Sequence, residues 1–98
     1  MVNVSYKQLP NLLRKYRKVR GLRQIDVARL LGLSRSRVSR WEKGVCIPTL
    51  VNAVRLALLY RVMVDALFDD LVRALREEIH SREKNLSTEA TLSNRHAS

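Results

Sequence analysis

The chain has 98 residues, 46% hydrophobic but only 5% aromatic, enough for one aliphatic-cored domain and not two. Its three glycines and two prolines are too few turn-formers for a many-stranded fold, which points to an all-α domain. The net charge of +10 is one-sided: residues 1–44 carry twelve Lys/Arg against Asp26 and Glu42, while residues 45–98 balance seven against seven. Such a patch is the footprint of a polyanion binder, whereas a merely solubilising surface would intermix the signs.

After a lead-in over residues 1–8, the residues Leu9, Leu12, Leu13, Tyr16 and Val19 mark one face of a first helix. It starts near Pro10, where proline is tolerated in a first turn, and ends at Gly21. Ser5 and Gln8 have capping-box spacing, but that start would put Pro10 inside the helix. A second helix is predicted over residues 23–31 with Val27, Ala28, Leu30 and Leu31 at helical spacing, and a third over 34–43 with Val38 and Trp41 on its apolar side. Between them Gly32 can take φ > 0 and Ser34 can cap the next helix.

Thr49 caps a fourth helix through residue 59, with Leu50, Val54, Ala57 and Leu58 predicted inward. The chain turns at residues 60–62. A long fifth helix, 63–84, follows, striped by Val64, Leu67, Phe68, Leu71, Val72, Leu75 and Ile79. Its first half can cover the core. From Leu71 onward one subunit offers no obvious surface, so Leu71, Val72, Leu75 and Ile79 are expected homodimer contacts, with packing against the first helix as the alternative. The domain is thus expected over residues 1–84, and the polar, aperiodic residues 85–98 as a disordered tail.

The stretch from Gln24 to Gly44, QIDVARLLGLSRSRVSRWEKG, has the sharpest signature: two short helices around a tight turn, the second with a hydrophobic back and a front of Arg35, Ser36, Arg37, Ser39 and Arg40. With the runs LRKYRKVRGLRQIDVARLLGLSRSRVSRWEKG and IPTLVNAVRLALLYRVMVDALF, residues 9–68 resemble the helix-turn-helix domain of the phage repressor and Cro proteins, the XRE family. Gln24, Ala28, Gly32, Ser34, Val38, Trp41, Glu42 and Gly44 carry the match in register.

The resemblance implies a compact five-helix bundle of the lambda-repressor-like type, here with an extended C-terminal helix, whose third helix enters the major groove. It implies base-reading by Arg35, Ser36 and Arg40, phosphate contacts by Gln24 and Lys43, and a structural pair between Arg17 and Glu42. Physical chemistry agrees: a helix N-terminus offers free N–H groups to phosphate, and arginine bridges guanine O6 and N7. Arg23 is assigned to phosphate as well, and Arg37, at the rim of the same face, to phosphate or to solvent. Three departures from the family pattern are Val45-Cys46 after the closing glycine, Arg61 where a glycine is common, and Met63 where a polar cap is usual.

The expected function is a sequence-specific transcriptional regulator that binds double-stranded DNA, as a homodimer on an inverted repeat. The rivals are an antitoxin-type autorepressor that also binds a toxin, and an adaptor of the same fold that reads no DNA. Trp41 lies on the face of Val38 and is expected to be core rather than a base-stacking residue. A lone Cys46 excludes an intramolecular disulfide and a Cys-based zinc site, and His80 and His96 lack metal-ligand spacing. No nucleophile elbow or phosphate loop suggests an enzyme, and no metal, cofactor or small-molecule ligand is expected. The apolar region 45–72 is broken by Arg55, Arg61, Asp65, Asp69 and Asp70, so no membrane span is expected; with no apolar leader in MVNVSYKQLP, the expected location is cytoplasmic.

Overall fold

A computed structural model describes the backbone of residues 11–92 and the side chains of residues 11–88. The described chain is all-helical: α1 (Leu13–Val19), α2 (Gln24–Leu31), α3 (Arg35–Glu42), α4 (Leu50–Tyr60), α5 (Val64–Leu67) and α6 (Asp69–Leu92). Leu9, Pro10 and the Ser5–Gln8 pair lie outside the described residues.

Local chemistry sets each boundary. At α1 the Asn11 side chain accepts from the Leu13 N–H at 3.0 Å and donates to the Trp41 carbonyl at 3.0 Å, which caps α1 and ties it to α3. Arg23 and Asp26 close a box at the start of α2. Gly32 then turns the chain at φ 70°, and the Leu33 N–H reaches back to the Ala28 carbonyl at 2.8 Å. Ser34 Oγ accepts from the Arg37 N–H and Thr49 Oγ1 from the Asn52 N–H, each at 3.2 Å, so both predicted caps form. Met63, by contrast, starts α5 with no side-chain cap, leaving Asp65 in its first turn.

The core collects Leu13 from α1, Val27 and Ala28 from α2, Val38 and Trp41 from α3, Leu56 and Ala57 from α4, and Leu67 from α5. Trp41 is buried, as its spacing predicts. Several expected core residues instead face solvent: Val19, Leu30, Leu50, Val54 and Leu58. On α4 the inward set is Asn52, Ala53, Leu56, Ala57 and Tyr60, so of the four residues predicted inward only Ala57 is buried. That helix is apolar on two faces, and periodicity cannot choose between them. The smaller face, built on Ala53 and Ala57, wins because it allows close approach.

The predicted single helix from Met63 is broken. The Leu67 carbonyl accepts from the Leu12 N–H at 2.8 Å, so it is turned toward α1 rather than along the helix axis. Phe68 adopts φ −127°, ψ 47° and is buried, and α6 restarts from its carbonyl. Then α6 runs to Leu92, so residues 85–92 are helical where a disordered tail is expected. Exposed pairs Arg73–Asp69 and Arg82–Glu78 at i,i+4 line its surface. Residues 93–98, His96 included, lie outside the described residues.

Tyr60 is buried, and among the described residues its hydroxyl has no hydrogen-bond partner. Burial pushes its phenol well above the usual tyrosine range. Tyr60→Phe removes a desolvated donor and keeps the ring, so thermal melting should show stability unchanged or raised by up to about 1 kcal/mol. A loss of that size would reveal a partner for the hydroxyl.

Candidate nucleic-acid interface

At about 100° per residue, Arg35, Ser36, Ser39, Arg40 and Lys43 fall within one arc of α3 and its C-cap, opposite Val38 and Trp41. The structure keeps that division: Val38 and Trp41 are buried, whereas Arg35, Ser36, Arg37, Arg40 and Lys43 are all exposed. Arg37 sits at the edge of the arc, next to Arg40 above the start of α4. Among the described residues no carboxylate pairs with Arg35, Arg37, Arg40 or Lys43, so four cations on one short element stand open.

What fixes this helix is a buried ionic clamp. Arg17 Nε donates to Glu42 Oε2 at 2.5 Å and its Nη2 to Oε1 at 3.1 Å, while Nη1 donates to the Leu22 carbonyl at 2.9 Å. The two side chains are 10% and 5% exposed. The hydrogen bond to Glu42 holds the guanidinium above its ordinary pKa against the opposing effect of burial. The pair expected from the resemblance is therefore present, and it is bidentate, the geometry in which arginine and carboxylate interact most strongly.

Two of the predicted phosphate contacts have partners within the chain. Gln24 donates Nε2 to Glu42 Oε1 at 3.0 Å, which orients the amide and leaves its second N–H for a ligand. Arg23 is exposed but bonds both Asp26 oxygens, at 3.0 and 3.1 Å. Those bonds, with the Arg23 backbone N–H, lower the Asp26 pKa to about 2, so the box holds throughout the neutral range. A phosphate at Arg23 must share the guanidinium with Asp26.

Between α1, α2 and α3 lies a cleft of about 690 Å³ into which Arg14, Arg23, Arg35 and Lys43 project, with Gln24 and Ser39 on its walls. Arg14 has no role in the sequence reading. Its position three residues before Arg17, hence on the same side of α1, is the signal that could have found it. Farther along the chain, Leu71 packs on the core, Val72 and Leu75 are half-buried and Ile79 is exposed. In one copy α6 rests chiefly on α5, not on α1, and Val72, Leu75 and Ile79 line an open apolar groove of about 630 Å³. Among the described residues no helix is long and apolar enough to cross a membrane, and no His/Cys/Asp/Glu group is placed to hold a metal.

Two helices locked at a glycine turn, the second backed by core and fronted by open cations, define a DNA-binding transcription regulator of the helix-turn-helix class. The chain belongs to the XRE-type helix-turn-helix family, whose model matches residues 13–67, from α1 to the end of α5. Among solved structures it is similar to the restriction-modification controller protein C.AhdI from Aeromonas hydrophila. The two are 39% identical over 57% of this chain and 85% of that one, with a TM-score of 0.53. No curated protein matches the chain. Family and neighbour point to a regulator rather than an enzyme.

Proposed function

We propose that this protein is a sequence-specific regulator of transcription that lays α3 in the major groove of duplex DNA and acts as a homodimer on an inverted repeat. The observation that carries the reading is the unpaired cationic face of α3, held from behind by Val38, Trp41 and the Arg17–Glu42 clamp. Arg35, Ser36 and Arg40 read base edges, the two arginines each bridging a guanine. Gln24, Arg23, Arg37 and Lys43 hold phosphates, and Arg14 joins them from the cleft wall. The apolar stripe of Leu71, Val72, Leu75 and Ile79 is a self-contact between copies along α6. An adaptor that reads no DNA would have no use for four open cations on one short helix.

Selection of bound sequences from a random duplex pool, run at two salt concentrations, tests the proposal. The expected product is a palindromic, guanine-bearing consensus with half-sites about 34 Å apart, one helical turn. Enrichment of no sequence, or of unpaired single sites, would overturn it.

A further inference from the structure

Helix α6 lies wholly beyond the residues that the family model matches, so its packing belongs to this chain rather than to the shared domain. Val72, Leu75, Ile79 and Leu86 follow one another at steps of three, four and seven residues, which sets them in a row along one side of the helix. Ile79 is 56% and Leu86 67% exposed, and the first three line the open groove of about 630 Å³.

The charges beside this row differ from those on the rest of the helix. Arg73 pairs with Asp69 and Asp70, and Arg82 with Glu78, all within α6. Arg76 and Glu83 line the groove, are exposed and have no ionic partner among the described residues. They are separated by about 10 Å of helix rise, too far to pair with each other. A seven-residue step also puts both on the same flank of the row, on either side of Ile79. Residues 1–10 and 93–98 hold no acidic side chain, so neither segment offers Arg76 a side-chain partner.

A second copy running antiparallel satisfies both charges at once. Antiparallel helices bring like flanks together, so with the two-fold axis between Ile79 and His80 the Arg76 of each copy lies level with Glu83 of the other. Val72 then comes level with Leu86 of the other copy, to within a residue. Parallel helices join opposite flanks instead, which sets Glu83 beside Glu78 of the other copy and Arg76 beside Leu71. Spacing favours the same choice. Antiparallel pairing puts the starts of the two α6 helices about 30 Å apart at 1.5 Å per residue, close to the separation of about 34 Å between successive major grooves. Parallel pairing leaves them within about 10 Å.

We infer that α6 pairs antiparallel with the α6 of a second copy, Ile79 at the two-fold axis and Arg76 opposite Glu83 on either side of it. The aliphatic row supplies the attraction, and the ion pairs select the direction. This inference rests on the dimeric reading above and gives its α6 contact an orientation and a register.

Two measurements on the free protein test it. Sedimentation should show Arg76→Glu weakening self-association about tenfold, because two exposed ion pairs become repulsions, and the double variant Arg76→Glu, Glu83→Arg recovering most of the loss. Both positions are exposed, so circular dichroism and melting should match the parent. In a Cys46→Ser background, which removes the one native cysteine, Val72→Cys and Leu86→Cys chains mixed and oxidised should give the disulfide between the two chains and neither self-disulfide. Self-disulfides at Val72→Cys, or a dimer indifferent to both charge variants, would overturn the seam while leaving the dimeric reading intact. A chain that stays monomeric would overturn both and give the face to residues 1–10 or to a different protein. An antiparallel seam without sequence-specific binding would sink the regulatory reading alone.

Discussion

Arg17→Met should cost about 3–5 kcal/mol, because it strips the partner from a carboxylate that is largely withdrawn from water. Glu42 is 5% exposed and takes two hydrogen bonds from Arg17; the substitution leaves it the one from the Gln24 amide. A domain of this size commonly has a total stability near the lower end of about 5–15 kcal/mol, so the variant should be largely unfolded at moderate denaturant concentrations. The loss comes less from the attraction removed than from the charge left behind. Hence the double variant Arg17→Met, Glu42→Met should recover most of the stability lost by the single one. Urea melts of the three proteins separate these contributions. Equal destabilisation by the single and double variants would mean that the pair acts through its packing and its bond to the Leu22 carbonyl rather than through charge.

That clamp also shows why part of the site is legible in the sequence and part is not. The register of Ser34, Val38, Trp41 and Gly44 places one face of α3 inward and the other outward, since eight helical residues leave few alternatives once the cap and two core residues are fixed. Open cations on the outward face follow from composition. What charge and spacing cannot reveal is which cations an acid within the chain already holds. Arg23 sits beside Asp26 and is occupied, while Arg35, with no acid within a helical turn, is open. Arg14 shares its cleft mostly with residues of α2 and α3, and its spacing from Arg17 is the one local sign of that position.

The fold repeats the lesson. Caps at Ser34 and Thr49 and the turn at Gly32 are local events that the sequence states outright. The left-handed turn after α4 is made by Arg61 at φ 60°, a conformation a side chain disfavours, tolerated because the Val62 N–H closes on the Ala57 carbonyl at 3.0 Å. The break at Phe68 is set by a hydrogen bond to Leu12, far away in the chain, while the apolar stripe passes through it unbroken. Likewise α4 could have buried either of two apolar faces, and the one that packs with Val38 and Trp41 in the core carries Ala53, Leu56 and Ala57. Long-range contacts decide these points, and a linear pattern does not contain them.

Arg35→Ala should abolish discrimination at one base position in each half-site. A bidentate arginine–guanine contact is worth about 1–3 kcal/mol. In a symmetric dimer the substitution removes two, about 2–6 kcal/mol, or roughly 30-fold to more than 10,000-fold in affinity for the selected sequence. On the proposed reading, position makes Arg35 the stronger reader. It is the first residue of α3, beside Ser34, and recognition helices contact bases mainly from their N-terminal end. Lys43 is at the opposite end of a helix about 12 Å long, a span comparable to the width of the groove, and would fall at its rim in the proposed docking. Lys43→Ala should therefore weaken all sequences alike and reduce the salt slope by about two for the dimer, one for each phosphate released. Titrations of the selected duplex and of variants at each base, at several salt concentrations, distinguish the two kinds of loss. If Arg35→Ala weakened every duplex equally and flattened the salt dependence, Arg35 would be a phosphate ligand and base-reading would rest on Arg40 and Ser36.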